Sequence, residues 1–342
     1  LTHFWERSIF LEGETTMNQT EREAWLAERK KGLGGTDVAA IMMAGADAVD
    51  KIGSFEKSLF KIWSEKTGLF KSEDQDNSVL MRGRVMEKYV FELYELHLGE
   101  GCRLWEKGLT WHPTRPRIFG TPDAMVEHGG VSFGMDAKTR RFRKGWGKTG
   151  TTEVPLDVEV QMRVYMEIFD APYWDIATLF SLDDFRVYRL ERDKELGQQI
   201  LDVAEEWWEK YVASETPPPP DGTDMCREAL GKVFKVNPKT IDQPLRTASV
   251  AERDLYEKIL KAKAEHKAAT EKKTELENQL RSCIGEDMGI AGVATWKPSK
   301  PRQNFDKKRF ASDHPDLYKE YVTESPGNRT LRIMEPKNDD SN

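Results

Sequence analysis

A chain of 342 residues with a 38% hydrophobic share is long enough to bury a sizeable core, as one large domain or two of medium size. No apolar run approaches the roughly 20 residues that a spanning helix needs, and the N-terminus lacks the pattern of a signal peptide, so a soluble cytosolic protein without a membrane partner is expected. A formal net charge of -7 argues against nonspecific coating of nucleic acid, while leaving room for a local basic groove.

In chain order, residues 1–17 read as an N-terminal extension, since LTHFWERSIFLEGETT precedes Met17 and the patterned sequence starts only afterwards. An alternative start or added residues would explain them. A polar stretch over residues 18–30 leads into GLGGT and DVAAIMM, where Thr36 is placed to cap a helix and leave free amides for an anion. From Asn77 to His97 the spacing of Met86, Val90 and Leu93 predicts a helix with Glu87 beside the apolar stripe.

Ile118 to Glu127 reads as one strand, His128 to Gly130 as a turn, and Val131 to Thr139 as the return strand. Val131, Phe133, Met135 and Ala137 alternate there with Ser132, Gly134, Asp136 and Lys138, so Asp136 and Lys138 share the face opposite the apolar one. Pro155 starts a helix carrying Val158, Gln161, Met162, Tyr165 and Phe169. Trp174–Ser181 and Phe185–Leu190 form a further predicted hairpin, followed by a helix over Lys194–Ala213 in which Trp207 and Trp208 are packing residues. The prolines of TPPPPDG mark residues 216–222 as a linker between a core over 18–215 and a C-terminal extension over 223–342. In that extension Ala248–Ile284 is one long charged helix or a helical hairpin, and GIAGVATWKP holds a short strand.

Hydrolysing a phosphodiester at neutral pH requires an activated water, stabilisation of phosphate charge and relief for the leaving oxygen, all of which magnesium can assist. That ion wants oxygen ligands in near-octahedral geometry. Asp123 and Asp136 on adjacent strands, with the carbonyl of Ala137, meet that need, and Lys138 could orient the water or stabilise charge. Manganese would substitute. Zinc is not expected, because Cys102, Cys226 and Cys283 lie far apart as reduced thiols would, and no HExxH or CxxC occurs. The [DE]xK pattern also stands at Glu265/Lys267 and Asp306/Lys308, but only the copy at Asp136 combines an upstream Pro-Asp, a Gly-Gly turn and an alternating apolar face. The same residues also fit a solvated hairpin with a surface ion pair.

After the lysine, KTRRFRKGWGK carries Arg140, Arg141, Arg143, Lys144 and Lys148 without an acid between them. It reads as a loop tracking a DNA backbone, with Phe142 and Trp146 available for stacking, or as a solvated charged loop.

The segments ERKKGLGGTDVAAIM, MRGRVMEKYVFELY, GTPDAMV, GMDAKT and VEVQMRVYM, in this order, resemble the YqaJ-type viral recombinases of the lambda-exonuclease branch of the PD-(D/E)xK nucleases, over about residues 22 to 213. The resemblance implies an α/β, restriction-endonuclease-like core with a central mixed sheet flanked by helices, here followed by a mainly helical extension. It implies a magnesium-dependent 5′-to-3′ exonuclease acting on linear duplex ends and leaving 3′ single strands. Glu87 would join Asp123, Asp136 and the Ala137 carbonyl as metal ligands, with Lys138 and Gln161 acting on the water. Of the family's Q-x-Q pattern this chain keeps only Gln161, with Glu159 at the other position. Arg29 and Thr36 would grip a terminal 5′-phosphate. A homotrimer, a single-strand annealing partner and a phage or prophage origin are implied as well. Two readings compete with it: an endonuclease of the same fold, and a non-catalytic DNA-binding recombination scaffold.

Overall fold

The alternating segment after the Gly-Gly turn forms strand β6 (Val131–Thr139) in the middle of a five-stranded sheet. The computed structural model describes residues 19–44, 57–70, 78–235, 243–301, 304–323 and 331–334, without the side chains of residues 19, 78–82 and 84. The predicted extension 1–17 and Asn77 lie outside the described residues. Two compact units divide the chain, residues 1–235 and 236–342.

In the first unit β5 (Ala124–His128) pairs antiparallel with β6 across a two-residue turn at Gly129 and Gly130, both at positive φ as such a turn requires. On its other side β6 runs parallel to β7 (Tyr173–Ser181), and β2 (Arg103–Trp105) and β8 (Asp184–Glu191) complete the order β2-β5-β6-β7-β8. This is the mixed central sheet that the sequence predicts. The predicted single strand from Ile118 to Glu127 is broken, however. Its first part is β4 (Ile118–Gly120), which joins β1 (Leu33–Gly34) and β3 (Thr110–Trp111) in a separate three-stranded sheet. Pro122 has no ladder donor to offer, and the chain changes sheets there. Asp123 consequently stands at the mouth of β5 rather than in mid-strand.

Helices cover both faces of the large sheet. On one face α4 (Ser78–Leu98) packs Val90 and Tyr94 against Phe133, Met135, Ala177 and Leu179, with Met86 and Leu93 beside them, as the predicted stripe requires. On the other lies α5 (Leu156–Phe169), whose Val158, Met162 and Tyr165 join a larger core with α2 (Gly35–Ala44) and α6 (Lys194–Trp207). The last turns of the predicted 194–213 helix widen into a π-helix over Trp208–Ala213, and Trp207 and Trp208 are both buried. Helix α1 (Gln19–Arg29) precedes β1.

Gly134 shows how closely this sheet is filled. A Cβ there would fall 2.1 Å from the Trp174 ring, which is fully buried between β6 and α5. Gly134→Ala is therefore expected to cost about 3 kcal/mol through overpacking and to lower Tm by roughly 6–12 °C. Thermal unfolding followed by circular dichroism measures it, and an unchanged Tm would show that the ring can move aside.

The segment 216–222, expected to separate core from extension, does not end the first unit. Helix α7 (Asp224–Val233) folds back on α3 (Leu59–Lys66): the Phe234 ring lies 6.4 Å from that of Phe60, and Ser58 Oγ donates to Asp221 Oδ2 at 2.6 Å. The first unit thus runs to Lys235.

In the second unit α8 (Val250–Ile284) is one continuous helix opened by a Ser249/Glu252 capping box, with exposed ion pairs such as Lys258–Asp254 and Lys273–Glu277 one turn apart. The expected short strand is a pair of strands, β9 (Gly289–Ile290) and β10 (Ala294–Thr295), joined as a hairpin. Two short helices follow, α9 (Lys307–Asp313) and α10 (Pro315–Tyr321). Among the described residues no helix is long and apolar enough to cross a membrane.

Candidate active site

The period of two along β6 sends Phe133, Met135 and Ala137 toward α4 and leaves Asp136 and Lys138 on the face that α5 covers. Asp136 is buried there. The Lys138 ammonium lies against its Oδ2, whereas Oδ1 is buried and makes no hydrogen bond. On the neighbouring strand the Asp123 carboxylate accepts from the Ala137 amide at 2.8 Å, which joins the two acid-bearing segments directly. Glu87 arrives from α4. With Gly83, Asp123, Ala137, Lys138 and Arg140 it lines one cleft of about 260 Å³.

The charges crowd one another. Burial and then the Asp136 carboxylate raise the Asp123 carboxyl well above the ordinary aspartate value, and the same two causes raise Glu87. Burial works to lower Lys138, but the Asp136 and Asp123 carboxylates override it, so its ammonium persists above neutral pH. The two carboxylates thus favour Lys138 as a positive charge.

Lys138 also reaches the Gln161 Oε1 atom, at 3.5 Å. Gln161 Nε2 donates to the Tyr165 hydroxyl at 3.0 Å, and that hydroxyl donates to the Thr121 carbonyl at 3.1 Å. Because an ammonium only donates and a carbonyl only accepts, the chain has one consistent polarity, which orients the Gln161 amide. Tyr165 was legible in sequence only as a core residue. Its spacing of one turn from Gln161 was the available signal. Glu159 takes no part, being paired with Arg163 at 2.6 Å along the helix.

As the side chains stand, no three acidic, histidine or cysteine side chains among the described residues converge closely enough to enclose an ion. The donor set nevertheless suits a hard cation. It consists of carboxylate and carbonyl oxygens that repel one another, and one buried carboxylate oxygen lacks any hydrogen bond. Asp123, Asp136, Glu87 and the Ala137 carbonyl could hold such an ion.

Beside this cleft stands the segment expected to grip an anion. The Arg29 guanidinium packs over the Trp25 ring at 4.5 Å and the Phe119 ring at 5.2 Å. Thr36 is not the helix cap: α2 already begins at Gly35, and the Gly34 amide donates to the Asp37 side chain at 3.1 Å. The Thr36 hydroxyl instead accepts from Lys57 Nζ at 3.2 Å. Asp37 is buried, paired with Lys57 and, at 2.8 Å, with Lys66. Burial alone would raise its carboxyl, and the two ammonium groups hold it far below the usual range. These three residues escaped the sequence reading, where only an acid three positions after a glycine hinted at Asp37. The two regions adjoin, since a Cβ on Gly35 would come within 3.0 Å of both Gln161 and Tyr165.

The basic loop is less uniform than its sequence. Arg140 is half-buried in the cleft, its Nη1 donating to the Thr139 carbonyl, while Arg143 is paired with Asp184 at 2.5 Å. Arg141, Lys144, Lys148 and Phe142 are exposed. Trp146 cannot stack on a base, because it is buried against Phe180 and Tyr188 with ring centroids 5.7 and 5.2 Å away.

Fold and site together define an α/β protein with an acid cluster and one lysine at the centre of a mixed sheet. Residues 24–172, from α1 to the approach of β7, match the model of the YqaJ-like viral recombinase domain. The protein YqaJ of Bacillus subtilis (strain 168), described as uncharacterized, is 26% identical over 317 residues, which cover 90% of this chain and 93% of that protein. Solved structures similar to it include an alkaline exonuclease from Laribacter hongkongensis, at 18% identity and a TM-score of 0.42 over 57% of this chain and 94% of that one. A phage-related exonuclease from Haemophilus somnus 129PT matches at 16% identity and a TM-score of 0.34, over 54% of this chain and 96% of that one.

Proposed function

We propose that this protein is a magnesium-dependent 5′-to-3′ exonuclease that degrades one strand of linear duplex DNA and leaves 3′ single strands for recombination. The observation that carries the reading is the meeting of Asp123, Glu87 and Lys138 on one cleft, with Asp136 buried behind Lys138 and one of its oxygens free of hydrogen bonds. The match of residues 24–172 to the YqaJ-like viral recombinase domain supports it. A divalent cation held by Asp123, Asp136, Glu87 and the Ala137 carbonyl would supply charge neutralisation at the scissile phosphate. Manganese would serve in place of magnesium. Lys138 would contribute positive charge toward the same phosphate or orient its attacking water, and Gln161 contacts that ammonium.

Arg29, with the Thr36 hydroxyl and Lys57 nearby, would receive the terminal 5′-phosphate, and Arg140, Arg141, Lys144 and Lys148 would follow the strand. Arg143 would join them on leaving Asp184. The annealing-protein partner, the homotrimer and a phage-derived, cytosolic setting belong to the same proposal.

The test is digestion of a linear duplex labelled at one 5′ or one 3′ end, with magnesium or EDTA, beside a closed circle. Progressive magnesium-dependent release from the 5′ end that spares the circle is the expected result. Equal cutting of the circle would favour an endonuclease, and an intact linear duplex, with binding verified, a scaffold. For Arg29→Ala the preference for 5′-phosphorylated over 5′-hydroxyl ends should fall by about tenfold, as befits one charge-assisted contact. Unchanged discrimination between the two ends would remove Arg29 from the phosphate site.

A further inference from the structure

Asp175, on β7, is a second fully buried acid of the central sheet, and it lies outside the cleft. It stands opposite Met135 of β6 and projects onto the α4 face. Both of its oxygens are engaged. The Tyr94 hydroxyl donates to Oδ2 at 2.5 Å, while Arg189 donates from Nε to Oδ1 at 2.7 Å and from Nη2 to Oδ2 at 2.8 Å. The Arg189 guanidinium in turn lies 3.8 Å over the Tyr173 ring. Tyr94 is itself fully buried on α4, next to Val90 in the apolar cluster.

A buried ion pair is a poor source of stability, since apolar residues of similar size often serve as well, and its best-attested use is to specify a register. Here a register is at stake. The contacts of Val90, Met86 and Leu93 with the sheet are apolar and therefore non-directional. A slip of one residue would shift α4 by about 1.5 Å and turn it by about 100°. Glu87 lies two turns before Tyr94 on the same side of the helix. It must reach the cleft from the α4 face, whereas Asp136 and Lys138 belong to the α5 face. A small error in the placement of α4 would thus take Glu87 out of the cleft. A directional contact adds to what packing alone does against it.

We propose that Tyr94, held by Asp175 and Arg189, is a positioning residue that locks the register of α4 and thereby presents Glu87 to a cation bound at Asp123 and Asp136. The inference rests on the metal-dependent reading given above.

Its test is calorimetric titration of the full chain with Mn2+, for wild type, Tyr94→Phe, Glu87→Ala and the double variant, with the rate at saturating Mn2+ measured alongside. Tyr94→Phe keeps the ring and removes one hydroxyl. It should weaken Mn2+ binding by roughly tenfold, the low end for residues that orient a metal ligand, while the rate at saturating Mn2+ stays close to wild type. In the Glu87→Ala background the same change should have no further effect, because the two residues act through one contact. Equal Mn2+ affinity in wild type and Tyr94→Phe, or the same loss in both backgrounds, overturns the proposal. Arg189→Gln loosens the same carboxylate from a half-exposed side chain and should shift Mn2+ affinity in the same direction even if Tyr94→Phe folds poorly. Unchanged affinity in that variant also overturns it. A wild-type chain that binds no Mn2+ would instead refute the metal site itself.

Discussion

Lys138→Ala is expected to slow magnesium-dependent cleavage of linear duplex DNA by about a thousandfold, the scale for losing one group that stabilises developing charge in a dry site. Duplex binding should survive, because the exposed basic side chains of the 140–148 loop are untouched. The size of the effect follows from the state of the lysine. Asp136 and Asp123 favour its protonated form against the pull of burial, and its ammonium lies against Asp136 within the site. Removing it also strips Asp136 of its ion pair, which should lower stability, so the comparison belongs well below the Tm of the variant. Single-turnover release of nucleotides, with a gel-shift assay in EDTA for binding, measures both effects. Turnover like that of wild type would remove Lys138 from the chemistry.

Asp123→Asn should abolish cleavage and yet make the metal-free protein more stable. The carboxyl of Asp123 is raised in the folded state by burial and by Asp136. Between the ordinary aspartate value and that raised value the folded protein holds a proton that the unfolded chain has lost. Stability therefore falls as pH rises through this window, and at neutral pH the carboxylate is a net burden on the fold. Asparagine carries no charge, and its oxygen can still accept from the Ala137 amide. In EDTA the variant should melt roughly 2–4 °C higher than wild type, and the difference should vanish below the ordinary aspartate range. Added Mn2+ should raise the Tm of wild type by mass action and leave the variant unmoved. An equal Mn2+-induced rise in both would show that Asp123 is no ligand.

The pairing of Asp136 with Lys138 on one face was determined by the sequence alone, because alternation is a property of any strand and needs no partner. The α4 stripe of Met86, Val90 and Leu93, the Gly-Gly hairpin and the Gln161 helix were local in the same sense. Only the tertiary structure decided what each of these elements faces. Pro122 ended one strand locally, but that β4 then joins β1 and β3 depends on distant chain. Trp146 has the sequence character of a stacking residue, yet Phe180 and Tyr188 close over it, and Thr36 has that of a cap, yet α2 begins already at Gly35. Tyr165 and Tyr94 looked alike as aromatic residues on apolar stripes, yet each ends on a polar partner far away in sequence, Thr121 for one and Asp175 for the other. The physical reason is that periodicity is set by backbone geometry within a few residues. A hydrogen-bond partner or a covering ring is set by which elements meet, and that is settled only when the whole core packs.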